Sequence, residues 1–184
     1  MRCHIRPLDH TADSANFDCG ESALNAYLQR YATQDIKRGV ARAFVATPIH
    51  PDQPDQPDQP DQPDAVGSFR CAVAGFYTLS AASVAAETLP EAWRKKLPRY
   101  PVPAALLGRL AVAQSAQGQG LGSILLADAC QRVAAVSQTL AVVAIMVDAQ
   151  SPQAAAFYQH FGFVQLPGQS SRWMLPRSHF ASLA

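Results

Sequence analysis

The sequence predicts an α/β protein: one central mixed β-sheet flanked by helices on both faces. Three stretches carry that expectation. Leu106 to Val136 begins as an apolar run, with Leu106, Leu107, Leu110 and Val112. It passes through a glycine-rich turn, Gln117-Gly118-Gln119-Gly120-Leu121-Gly122, and takes up helical periodicity at Leu121, Leu125, Ala129, Val133 and Val136. Leu140 to Val147 is an unbroken apolar run between Gln138 and Asp148, the pattern of a buried parallel strand. Phe163-Val164 and Arg172-Trp173-Met174-Leu175 read as a closing pair of strands. With 184 residues the chain is expected to form a single domain, residues 1–184, with a sizeable core.

The remaining elements follow in order. Residues 2–8 read as a short edge strand, and Asp13 and Ser14 as the cap of a helical turn. A helix starts at about Glu21 and places Leu24, Tyr27, Leu28 and Tyr31 at helical spacing. It runs towards Ile36, with Gly39 as its stop. Ala41 to Thr47 reads as a strand. Pro51 to Asp64 is a low-complexity repeat, PDQPDQPDQPDQPD, with nothing apolar to bury and proline at every third position. Such a segment favours extended backbone and reads as a surface excursion that expands a hairpin loop. Val66 to Ser80 is a second strand region, and Ala81 to Pro103 a crossover carrying Arg94, Lys95, Lys96 and Arg99. Pro101 and Pro103 are expected to delay the next strand to about Ala104. Ser151-Pro152 opens another helix, which ends near Gly162.

Composition narrows the function classes. A net charge of +1 gives no overall field to attract nucleic acid or membrane, so any RNA contact must come from local patches. Four cysteines without a C-x-x-C motif fit reduced thiols in the cytoplasm. The five histidines form no ligand-spaced pair, so no metal site is expected. No run reaches transmembrane length, and MRCHIRPLDH carries no apolar signal core.

The glycine turn is where chemistry enters. Backbone N–H groups at the start of a helix lack partners and sit at its positive end, which suits a phosphate. Three phosphate-binding patterns compete with a plain connector. A P-loop needs a Gly-Lys pair, and the chain has none. A dinucleotide fingerprint would lean on Ser123 and an acid about 20 residues on, and Gln138 to Leu140 offers none. The third pattern is Gln/Arg-x-x-Gly-x-Gly/Ala, met by Gln117, Gly120 and Gly122. On these residues the stretch resembles the loop with which GNAT N-acetyltransferases hold the pyrophosphate of acetyl-CoA. The resemblance implies the GNAT fold, and acetyl-CoA as co-substrate bound by Gln117, Gly118, Gln119, Gly120, Leu121 and Gly122. It also implies that backbone groups of the preceding strand, at Leu110, Ala111 and Val112, meet the pantetheine arm.

A second motif, Phe157-Tyr158-Gln159-His160-Phe161-Gly162-Phe163, resembles the F-Y-x-x-x-G-F segment of the same family, which implies Tyr158 as general acid. The chemistry wants such a group: the departing thiolate belongs to a thiol of pKa about 8.5, and a phenol near about 10 can donate to it as charge develops. Phe157, Phe161 and Phe163 read as packing beneath the sheet.

A wider resemblance runs along Phe17-Asp18-Cys19-Gly20, Gly75 to Ser80, Arg99-Tyr100-Pro101-Val102-Pro103 and Leu107 to Val112. These segments are similar to the GNAT toxins of bacterial toxin–antitoxin modules. That implies aminoacyl-tRNA as acceptor, a ribbon–helix–helix antitoxin as partner and a possible homodimer. The scarcity of acids is compatible: only Glu21, Glu87 and Glu91 are glutamates, and no general base is evident near the loop. Deprotonating a lysine at neutral pH costs roughly 4–5 kcal/mol, an α-amine only about 1–1.4 kcal/mol. Arg94, Lys95, Lys96 and Arg99 are the best candidates for RNA contact. Two rival readings remain: an acetyltransferase for a small amine or a protein N-terminus, and a non-catalytic acyl-CoA-binding module.

Overall fold

The computed structural model describes residues 2–49 and 70–181. The Pro51 to Asp64 repeat and the strand start at Val66 lie outside the described residues. Among the described residues, nine strands form a seven-stranded mixed sheet, in the order β1-β3-β5-β6-β7-β9-β8, and a two-stranded sheet of β2 and β4. The strands are β1 Cys3–Pro7, β2 Ala12–Asp13, β3 Arg42–Pro48, β4 Cys71–Ala72, β5 Gly75–Val84, β6 Val102–Val112, β7 Ala144–Asp148, β8 Val164–Gln165 and β9 Arg172–Pro176. The helices are α1 Ser22–Ala26, α2 Ala32–Lys37, α3 Glu91–Arg94, α4 Leu121–Val136 and α5 Pro152–His160. Two compact units emerge, Met1–Phe76 with Ala111–Leu125, and Tyr77–Leu110 with Leu126–Ala184.

In the first unit β1 is the expected edge strand and pairs antiparallel with β3, from Cys3↔Pro48 to Pro7↔Phe44. Asp13 and Ser14 cap no helix. Asp13 lies in β2 beside Ala72, takes a 2.7 Å bond from Asn16, and the Phe17 N–H closes on Ser14 at 3.3 Å, a single reverse turn. The helix after Gly20 begins with Glu21 at its cap and stops before Gly39, where φ is +71°. Its middle differs from the expectation. Tyr27–Tyr31 is a π turn that links α1 to α2, and the Ala32 N–H bonds to the Tyr27 carbonyl five residues back. The extra residue shifts the buried stripe by one position. Ala32 is fully buried beside Tyr27 and Leu28, while Tyr31, expected on that stripe, is 53% exposed. Phe17, Tyr27 and Phe76 make the aromatic centre of this core, with Phe17 and Phe76 edge to face at 5.3 Å.

In the second unit β6 and β7 run parallel, from Ala105↔Ile145 to Leu107↔Val147, and β9 pairs antiparallel with β7 and with β8. The parallel strand is the one its apolar run predicted, but it starts at Ala144. Leu140 is 60% exposed because its N–H still bonds to Val136, completing the end of α4. Pro103 does not delay the preceding strand: β6 starts at Val102 and includes it. A proline fits where its nitrogen owes the ladder no donor, and its carbonyl accepts from Val143 at 3.0 Å. Along α4, Leu121, Leu125, Ala129 and Val133 are buried as expected, but Val136 at its last position is exposed. A polar trio of one buried and two half-buried residues stands in this unit. The Tyr77 hydroxyl donates to Asp128, and Arg132 donates to the same carboxylate at 2.8 Å, one helical turn away. Burial, and then the Asp128 bond and charge, push the Tyr77 phenol far above the ordinary tyrosine value.

Candidate active site

The glycine turn is built by conformation. After β6 a 3₁₀ turn, Gln114–Ala116, leads into Gln117, and the chain reverses through Gly118 and Gly120 at φ +73° and +78°. Side-chain-bearing residues rarely adopt such angles, which is why glycine stands at both positions. A Cβ at either would meet nothing within 4 Å, so the outer face of the turn is open. The Ser123 and Ile124 N–H groups bond back to the Gly120 carbonyl at 3.1 and 3.3 Å, starting α4. The 16-residue helix therefore presents its N-terminal turn beside two glycines. That arrangement fits a diphosphate.

Side chains hold the turn from behind. Gln117 Nε2 donates to the carbonyls of Val112 and Cys19, each at 3.0 Å, and Gln119 Nε2 to Ser115 at 3.1 Å. The Gln117 amide thus braces the turn. Gln114 Nε2 donates to Asp18 Oδ2 at 2.8 Å, and the Gln114 N–H to the Asp18 carbonyl at 2.9 Å. Hydrogen bonds from the Gly20 N–H and from Asn25 hold the Asp18 carboxyl below the usual carboxylate range. Asp13, Asn16, Asp18, Gln114 and Ser115 border a cleft of ≈ 390 Å³. Gly75 fixes the approach of the helix. A Cβ there would stand 2.9 Å from the Ala111 carbonyl and 2.9 Å from Leu125 Cδ1, so only glycine lets β5 start this close to α4. Sequence reading placed Leu110, Ala111 and Val112 on the strand before the loop, and they end β6, with Ala111 buried and the other two half-buried.

Tyr158 lies in the second unit, in the last turn of α5. Ser151 caps that helix, accepting from the Ala154 N–H at 3.1 Å, with Pro152 in its first turn. Gly162, at φ +85°, ends it. Tyr158 is 8% exposed and packs against Phe157 and Phe163, ring centres 5.2 and 5.3 Å away. Burial alone pushes its phenol up to about 12. Phe163 is buried as expected, whereas Phe161 is exposed. Its ring lies over those of Phe157 and His160, on the outer side of the helix end.

Arg94, Lys95, Lys96 and Arg99 are all exposed, on α3 and the turn after it. Arg94, Lys95 and Arg99 border one cleft of ≈ 500 Å³ with Glu87 and Leu97, and Lys95 pairs with Glu91 at 2.9 Å. Lys96 does not line that cleft. Among the described residues no group of three His, Cys, Asp or Glu side chains is placed to hold a metal ion, and no helix is long and apolar enough to cross a membrane.

Sequence reasoning missed Asp18, Asn25 and Gln114 as partners of the turn. Asp18 and Gln114 are 96 residues apart, and no periodicity links them. Phe17 to Gly20 did draw notice as a segment, but without a role.

Comparison with known proteins identifies the family of the chain. The family model for the acetyltransferase (GNAT) domain matches residues 71–165, from β4 to β8. The chain is 34% identical over 170 residues to a tRNA-acetylating toxin of Mycobacterium tuberculosis, covering 92% of this chain and 89% of the relative. Its fold is similar to that of AtaT complexed with acetyl-methionyl-tRNAfMet, with a TM-score of 0.82, 29% identity and 99% of both chains covered. It is also similar to AtaTR bound with AcCoA, with a TM-score of 0.76, 26% identity, and 98% and 97% of the two chains covered. Family model, full-length relative and sheet order agree: the chain belongs to the GNAT acetyltransferases.

Proposed function

We propose that this acetyltransferase moves the acetyl group of acetyl-CoA to the α-amine of aminoacyl-tRNA and so blocks translation as the toxin of a toxin–antitoxin pair. The observation that carries the reading is the 34% identity to a tRNA-acetylating toxin along 92% of the chain. The similarity to AtaT in complex with acetyl-methionyl-tRNAfMet supports the same acceptor. A ribbon–helix–helix antitoxin is the partner, a homodimer the working form and the cytoplasm the place of action. Residues 1–184 act as one catalytic domain.

Acetyl-CoA supplies a thioester whose acyl carbon an amine can attack. The turn from Gln117 to Gly122 binds its pyrophosphate through backbone N–H groups, and Leu110, Ala111 and Val112 align the pantetheine arm. Tyr158 gives its proton to the sulfur as the C–S bond breaks and the N–C bond forms. The proton shed by the acceptor nitrogen passes to water, and Tyr158 is reprotonated from solvent. The phenol is fully protonated at neutral pH and can donate to the sulfur as charge develops there. Arg94, Lys95, Lys96 and Arg99 contact the RNA backbone. The test is transfer from labelled acetyl-CoA to a pool of charged tRNAs. Alkaline hydrolysis should release N-acetyl amino acid, and uncharged tRNA should remain unlabelled. Label on uncharged tRNA would defeat the acceptor assignment.

A further inference from the structure

We infer that Phe17–Gly20 is a strap that positions the coenzyme turn, and that Asp18, acting through Gln114, is its positioning residue. The inference rests on the reading of Gln117 to Gly122 as the pyrophosphate site. It starts from where the polar groups of four consecutive residues go. Towards the helix, the Phe17 carbonyl accepts from Gln29 at 3.0 Å, the Cys19 N–H donates to Asn25 Oδ1 at 2.9 Å, and Asp18 Oδ1 accepts from Asn25 Nδ2 at 2.7 Å. Towards the turn, Asp18 accepts from Gln114 through both its carboxylate and its carbonyl, and the Cys19 carbonyl accepts from Gln117. Phe17 and Cys19 anchor the strap by burying their side chains in the core of the first unit. The strap therefore ties the π-turn helix to both ends of the 3₁₀ turn that launches the glycine loop.

The chemistry of Asp18 favours positioning over ligand contact. A carboxylate near a diphosphate repels it, so a residue selected only to bind the coenzyme would not be acidic. As an acceptor, however, a carboxylate makes shorter and stronger bonds than an amide. Its two oxygens here take three donors, Gly20 N–H and Asn25 on Oδ1, and Gln114 on Oδ2. A site whose donors are backbone N–H groups has no side chain to adjust, and it works only within about 0.5 Å of its productive shape.

The discriminating measurement is calorimetric affinity for two ligands: acetyl-CoA, and S-acetyl-pantetheine, which keeps the thioester and arm but lacks the pyrophosphate. Asp18→Ala and Gln114→Ala should each weaken acetyl-CoA roughly tenfold, the scale of one lost charge-assisted bond. Both should leave S-acetyl-pantetheine affinity unchanged and kcat at saturating acetyl-CoA within about twofold. Asp18→Asn should restore part of the affinity, because its amide oxygen still serves Gly20 and Asn25 and Gln114 can turn its own amide to match, while the charge that strengthens these bonds is lost. Gln114 is exposed, so its variant carries the test should Asp18→Ala fail to fold. Equal losses for both ligands, or no loss for either, would overturn the strap. Gly122→Asp separates the two layers. If it abolishes acetyl-CoA binding while Asp18→Ala and Gln114→Ala do not weaken it, the strap alone falls. If Gly122→Asp binds normally, the pyrophosphate reading falls and takes the strap with it.

Discussion

The glycine turn and the last turn of α5 are built for the tasks we propose by opposite means. In the turn the working groups we propose are backbone N–H donors, and the side chains of Gln114, Gln117 and Gln119 face back to brace it. In α5 the backbone is an ordinary capped helix, and one phenol among aromatic rings carries the expected chemistry. The difference says where each region is vulnerable. The turn should fail when its shape or charge changes, and α5 when one oxygen is removed.

The largest effect is expected at Gly122. Gly122→Asp adds bulk and negative charge at the start of α4 and should abolish acetyl-CoA binding, as read by calorimetry on the folded variant. Normal affinity would mean that the turn is only a connector. Tyr158→Phe should do the converse. Acetyl-CoA affinity should stay near normal while turnover falls by roughly 10²–10⁴, the usual yield of general acid catalysis. Full turnover in that variant would remove the acid and leave Tyr158 as packing.

A smaller effect is expected at alkaline pH. Burial pushes the Tyr158 phenol up to about 12, above the ordinary tyrosine value of about 10. A raised value in the folded state contributes stability that is complete below about pH 10 and lost as pH rises through about 12. Denaturant midpoints of the wild type should therefore fall relative to Tyr158→Phe over that interval. Parallel curves would mean the phenol is as solvated in the fold as in the unfolded chain. The smallest effect serves as a control outside both regions. Deleting Gln53 to Gln62 should alter stability by about 1 kcal/mol or less and leave acetyl transfer intact. A large fall in melting temperature would show that the repeat packs on the domain.

The turn was legible in the sequence because its signal is local: three glycines, an apolar run before and a helical stripe after. The Ser151-Pro152 cap was legible for the same reason, and so was the closing strand pair. What escaped depends on events that leave no local mark. The π turn moved Tyr31 outward and Ala32 inward by inserting one residue into a pattern that α-helical spacing alone assumes. Pro103 was read as a strand breaker, although only its missing donor matters and its carbonyl is used. Gly75 looked like any strand glycine until Ala111 and Leu125 were found where its Cβ would stand. Asp18 and Gln114 meet only because the chain returns after 96 residues.

The trio of Tyr77, Asp128 and Arg132 also bears on how this chain can change over generations. Tyr77→Phe, taken first, leaves Asp128 and Arg132 paired one turn apart on a partly solvated helix face, where each can still find water. Asp128→Ala, taken first, takes from a fully buried phenol the acceptor it now has. The routes through these three positions are therefore unequal. Replacing Tyr77 before Asp128 is the less costly order, and descendants that lack Asp128 are expected to lack the Tyr77 hydroxyl as well.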